Sequence, residues 1–210
     1  MQWLRRLPII RNAGCIFVSA VLTFSSAVVS AQCMSAARVF VKHPDEQTYR
    51  GMVDAADDHI REDCRHVFLK PVLSETLLRS VESGNPWSIK VLADLLFFHL
   101  LDGGDLEDAH RALGVSAEKN PRVLLRLYAE KRISSYGLAR SVIMLPLSLV
   151  DNLEGQQSRL IERSRIISAI AEPDLKEARN IALAALTDAI KRHSRQKEKG
   201  FGVRHPKFEN

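Results

Sequence analysis

Aromatic side chains make up only 6% of the 210 residues, and cysteine occurs three times. So few cysteines exclude a small fold stapled by disulfides and a cysteine-rich zinc module. No HExxH, no GxSxG and no glycine-rich phosphate loop occurs. Zinc-protease, serine-hydrolase and P-loop chemistry therefore have no footing in the chain. No segment alternates apolar with polar residues over the length of a strand, which excludes a sheet as the organising element. No apolar run reaches the roughly 20 residues that cross a bilayer.

What is present begins with a leader. Arg5, Arg6 and Arg11 precede a mostly apolar run from Cys15 to Val29, and Val29-Ser30-Ala31 places small residues at a cleavage position. This is the layout of a secretory signal peptide, residues 1–31, cut after Ala31. Ser19, Thr23, Ser25 and Ser26 interrupt the run, which argues against a retained anchor. Removing the leader takes three arginines and no acid, so most of the formal +5 charge goes with it. The chain is expected in the periplasm or outside the cell. Cys33 and Cys64 then remain, an even pair in an oxidising compartment, and are expected to form a disulfide. Closing that loop stabilises the fold by roughly 3–4 kcal/mol in the chain-entropy picture.

Residues 32–190 read as one all-α domain of about seven helices in a compact array. Pro44-Asp45-Glu46 opens a helix whose apolar face is Tyr49, Met52, Val53, Ala56 and Ile60. Leu73, Leu77, Leu78 and Val81 mark a second, ended by Gly84. Asn85 caps a third, with Pro86 at its first position. It is apolar on nearly every side (Trp87, Leu92, Leu95, Leu96, Phe97, Phe98, Leu101) and reads as the central core helix, stopped by Gly103 and Gly104. Asp105 opens a short helix from Leu106 to Leu113, ended by Gly114. Asn120-Pro121 starts the next, to about Lys131. One more begins near Gln156, and the last begins at Pro173-Asp174.

The second Asn-Pro start lies 35 residues after the first. Superposing them pairs Ile89 with Leu124, Leu92 with Leu127 and Ala93 with Tyr128. Over residues 85–131 this resembles a tetratricopeptide or HEAT-type helix pair, in a degenerate two-unit form. The resemblance implies a helical groove that holds a partner.

Candidate chemistry is sparse. His59, Asp63 and His66 would share a helical face at i, i+4 and i+7 and could hold zinc; a solvated charged face is the plainer reading. His99, with Asp94 and Asp102 nearby in sequence, reads as a core histidine with a hydrogen-bond partner. Adjacent acids such as Asp57-Asp58 and Glu107-Asp108 read as the wet faces of amphipathic helices. Cofactors are not expected.

Two segments point to binding. SVIMLPLSLV, broken by Pro146, is apolar without helical pattern. Val142, Ile143, Met144, Leu145 and Leu147 are its candidate interaction residues, if not a core loop. Residues 191–210 form a basic tail with Lys191, Arg192, Arg195, Lys197, Lys199, Arg204 and Lys207, expected to be flexible and able to touch anionic headgroups. The expectation is an exported helical protein that binds another protein, as an inhibitor or immunity-type protein, and is not an enzyme. Nucleic acid is not an expected partner. The alternatives are an envelope adaptor built on the helical-repeat groove, or an envelope enzyme or zinc protein using His59, Asp63 and His66 or His99.

Overall fold

The computed structural model describes residues 34–55, 73–97 and 101–198. Among these it contains nine α-helices and no strand. They are α1 (34–42), α2 (Glu46–Ala55), α3 (Glu75–Glu82), α4 (Pro86–Phe97) and α5 (Gly103–Lys119). There follow α6 (Pro121–Ala129), α7 (Ser135–Ile143), α8 (Leu153–Ser168) and α9 (Lys176–Glu198). Single 3-10 turns at Leu147–Leu149 and Pro173–Leu175 lead into α8 and α9. The all-α reading holds, with more helices than the seven expected.

Short-range signals explain most boundaries. The Ser74 hydroxyl accepts from the Leu77 amide, and Ser134 accepts from Gly137, each satisfying a donor the first turn leaves open. The chain leaves α3 through Gly84 at φ +88, with its amide on the Val81 carbonyl and that of Asn85 on Ser80. This is a paired 6→1 and 5→2 closure that needs the left-handed region. A Cβ at Gly84 would lie 2.9 Å from that of Lys119, so the close approach demands glycine as well. Lys131, at φ 59, closes α6 in the same way without being glycine.

Two expected stops fall elsewhere. Gly103 and Gly104 do not end a helix; they form the first turn of α5. Gly114 does not end one either, because α5 runs on through it to Lys119. A Cβ there would lie 2.5 Å from the Met144 carbonyl and 2.6 Å from that of Ser141. The glycine is a close packing contact between α5 and the end of α7, and that contact outweighs its poor helix propensity.

The helices pack in a chain of pairwise contacts. α3 packs on α5, α5 on α7 and α7 on α9, while α4 lies against α5 and α6. The pair α3–α4 thus stacks on the pair α5–α6, with α3 touching α5 and α4 touching α6. The two asparagines take matching places in this stack. The Asn85 amide donates to the Pro44 carbonyl at 2.9 Å, and the Asn120 amide donates to the Gly84 carbonyl at 3.0 Å. Each ties a helix start to the connector one pair earlier. Their capping differs: Asn85 accepts from Trp87 and Ser88, whereas the Asn120 side chain caps nothing.

The core draws on α3 to α9, with Leu77, Ile89, Leu92, Leu113, Leu124, Leu138, Leu160, Ile167 and Leu186 fully buried. α4 buries Ser88, Ile89, Val91, Leu92, Ala93 and Leu95 in the core, but it is not covered on every side: Phe97 at its end is 50% exposed. Its polar Ser88 meets the Ser80 hydroxyl at 2.7 Å. α1 and α2 attach through rings. Phe40 meets Tyr49 edge-on at 6.3 Å, and Tyr49 lies 5.1 Å from Trp87. Arg132 donates to the Tyr49 hydroxyl at 2.7 Å and grips Asp94 with two donors. Burial raises the Asp94 carboxyl, while Arg132 pulls against it. Burial also opposes the Arg132 charge, but Asp94 and Tyr49 more than restore it.

The expected tail boundary at 190 moves. α9 continues to Glu198, carrying Lys191, Arg192 and Arg195 as helical residues. Arg192 pairs with Asp188 one turn back, an i,i+4 bond that supports the extension.

A buttressed loop as candidate interaction site

α7 ends at Ile143 because Met144 turns extended and Pro146 forbids a further turn. The carbonyls at this end need donors, and they lie inside the protein. Arg163 of α8 supplies them. Its Nη1 donates to the Val142 carbonyl at 2.6 Å and to the Met144 carbonyl at 2.9 Å.

Arg163 is fully buried, a costly position for a charge. Glu118 of α5 meets that cost, accepting from Arg163 Nη2 at 2.7 Å and Nε at 3.2 Å. Arg159 holds the same carboxylate from its open side, with Nη2 at 2.6 Å from Oε2. Burial lowers the Arg163 pKa, and Glu118 offsets part of the shift. One ion-paired guanidinium thereby joins α5, α7 and α8 beneath the loop.

The next residues are fixed from the other side. The turn Leu147–Leu149 is closed by the Leu149 amide on Pro146 and the Val150 amide on Leu147. Gln156 reaches back from the first turns of α8, donating to the Leu149 carbonyl at 2.6 Å and the Val150 carbonyl at 2.7 Å. Asn152 caps α8 by accepting from Gly155 at 2.8 Å.

On this frame the candidate residues separate. Val142 is fully buried, and Ile143 and Leu145 are half-buried against the core. Met144 is half-buried too. Leu147 is not: it is 61% exposed, and Val150 beside it is 59% exposed. The apolar segment is therefore a core strap up to Leu145 and an exposed tip beyond. Asp151 and Glu154 stand exposed next to that tip.

A second buried polar contact lies at the loop's root. His110, 4% exposed on α5, places Nδ1 2.9 Å from the Ser141 hydroxyl on α7. Burial, followed by the nearby Arg140 charge, lowers the His110 pKa to about 4. His110, Gly114 and Glu118 follow at four-residue steps on one face of α5. All three meet α7, the loop or its arginine.

His59, Asp63, His66, Cys33, Cys64 and His99 lie outside the described residues, as do residues 1–31. Among the described residues no group of three or more His, Cys, Asp or Glu side chains is arranged to hold a metal ion. Asp94, once placed near His99, is committed to Arg132. A shallow open groove between α1 and α2 is lined, among the described residues, by Ser35, Ala36, Val39, Gln47, Thr48 and Gly51, none of them charged.

Sequence reasoning missed Arg163, Glu118, Gln156 and His110. Arg163 had a signal, since it stands between Leu160 and Ile167 on the apolar stripe of α8. An arginine in such a slot is a buried charge awaiting partners. Compared with protein-family models, with curated proteins and with solved structures, the chain matches none.

Proposed function

We propose that the chain is an exported helical binding protein that docks on another protein through residues 146–151. The most concrete form is an inhibitor or immunity-type protein that blocks its partner. One observation carries the reading: two large aliphatic side chains, Leu147 and Val150, stand in solvent on a backbone gripped by Gln156. Arg163 grips the strand of chain that leads to it. An exposed apolar tip costs solubility, and a tip held still loses little entropy on binding. That combination suits recognition, where a preordered apolar anchor fills a partner's pocket and polar neighbours form the rim. Asp151 and Glu154 give this rim an acidic side, which favours a basic surround on the partner.

Export is part of the proposal and rests on the leader sequence. No helix among the described residues is long and apolar enough to cross a membrane.

The test is the double variant L147D/V150D, expressed with its native leader. Because both side chains are exposed, the thermal midpoint should stay within about 2 °C of the parent, which a change of about ±0.5 kcal/mol permits. Partner recovered by reversible crosslinking in the envelope should fall by about tenfold or more, as expected for loss of a central apolar anchor. Unchanged recovery of the same partner by a folded variant would count against the loop as the site.

A further inference from the structure

We propose that the docking surface continues from the loop tip onto the last turn of α9, where Arg195 gives it a basic flank that receives acidic groups of the partner protein. Resting on the reading of residues 146–151 as the docking site, this names the charge pattern of the partner.

Two consecutive glutamines bring the loop and the end of α9 together. Gln156 donates to the Leu149 and Val150 carbonyls, and Gln157 donates to the Ser194 hydroxyl of α9 at 3.0 Å. Ser194 in turn donates to the Ile190 carbonyl at 3.1 Å. One turn of α8 thus holds both segments. The start of α8 meets the end of α9, so the two helices run antiparallel across the connection 169–175. The end of α7, the start of α8 and the end of α9 share one end of the helical packing, and the loop spans it.

Arg195 follows Ser194 and is exposed, and Lys191, exposed too, lies one turn back on the same face. A standard interface covers about 800 Å² a side, roughly 30 Å across, which is wide enough to take in both the loop tip and this turn.

Most charges of α8 and of the second half of α9 are already committed. Arg159 and Arg163 hold Glu118, Glu162 holds Arg165, and Asp188 holds Arg192. Asp151, Glu154, Lys191 and Arg195 have no ion-pair partner among the described residues. The first two give the apolar tip an acidic flank, and the last two give it a basic one.

A surface of mixed sign selects its partner. An anionic bilayer would be drawn to Arg195 and repelled by Asp151 and Glu154. A protein can set a carboxylate against Arg195 and a cation against the two acids, beside a pocket for Leu147 and Val150. Matching both signs fixes the orientation of the partner, which an apolar anchor alone leaves free.

The test uses the full-length chain in the producing cell. A photoreactive residue at Leu147 reports docking, and one at Arg195 reports the extension. Both positions should yield adducts of the same protein, identified by mass spectrometry. With the probe at 147, K191E/R195E should lower the adduct yield about fivefold or more, as two rim contacts turn repulsive. K191R/R195K should retain the yield. Should K191E/R195E fail to fold, K191Q/R195Q replaces it, with an expected fall of about threefold. A different protein or none at 195, or a yield that K191E/R195E leaves unchanged, overturns the basic flank while the docking reading stands. No adduct at 147 overturns both. Sedimentation of the purified protein with phosphatidylglycerol vesicles at physiological salt should be the same for the parent and K191E/R195E. A loss in the variant would give the end of α9 to a lipid surface and overturn the proposal.

Discussion

Gly114 shows how one missing side chain sets a helix crossing. Two carbonyls from the end of α7 occupy the space a Cβ would need. Gly114→Ala should cost about 1–3 kcal/mol, the usual range for overpacking, although alanine is the better helix former. Urea denaturation of the two proteins measures it, and a stabilised alanine variant would contradict the crossing. His110 makes a second prediction at this scale. Its folded-state pKa, about 4, lies below the ordinary value of 6.5. The unfolded chain therefore binds the proton first as pH falls. The histidine's contribution is fully present above about pH 6.5 and is lost as pH falls through about 4. The loss should total roughly 3 kcal/mol, at 1.36 kcal/mol per pKa unit. Stability measured from pH 7 to pH 4 should fall less steeply in H110Q than in the parent. Such residues are hard to read from sequence. Gly114 carries the marks of a helix stop, and only its tertiary neighbours make it a contact.

At the scale of elements, the repeated Asn-Pro start divides into two jobs. Asn85 both caps α4 and ties it to Pro44, while Asn120 only ties α6 to Gly84. Asn85→Ala should therefore cost more than Asn120→Ala, by about 1 kcal/mol, the worth of a cap. Equal losses in thermal melts of the two variants would refute this division. The starts of α2, α4 and α6 were legible because asparagine, aspartate and proline act within a turn of themselves. The ends of α5 and α9 were not. Gly114 is outvoted by packing on α7, and the polar run after Ile190 is carried onward by the Arg192–Asp188 pair. The loop was legible in part. Its apolar composition and Pro146 announced an exception to helix, but which side chains face water depends on Arg163 and Gln156, reaching in from α8.

For the molecule as a whole, the α-helical class followed from hydrophobic period, and the stacking of α3–α4 on α5–α6 echoes the spacing between Asn85 and Asn120. The site did not follow in that way. It is assembled from α5, α7, the loop and α8, so the residues that shape it are dispersed along the chain. The most direct test of the account is site-specific photocrosslinking in the producing cell. A photoreactive residue is placed at Leu147, and at Ile161 as a control with similar exposure on α8. The account predicts one discrete protein adduct from position 147, abolished by V150D, and none of the same mass from position 161. No adduct at 147, or the same adduct from both positions, would contradict it.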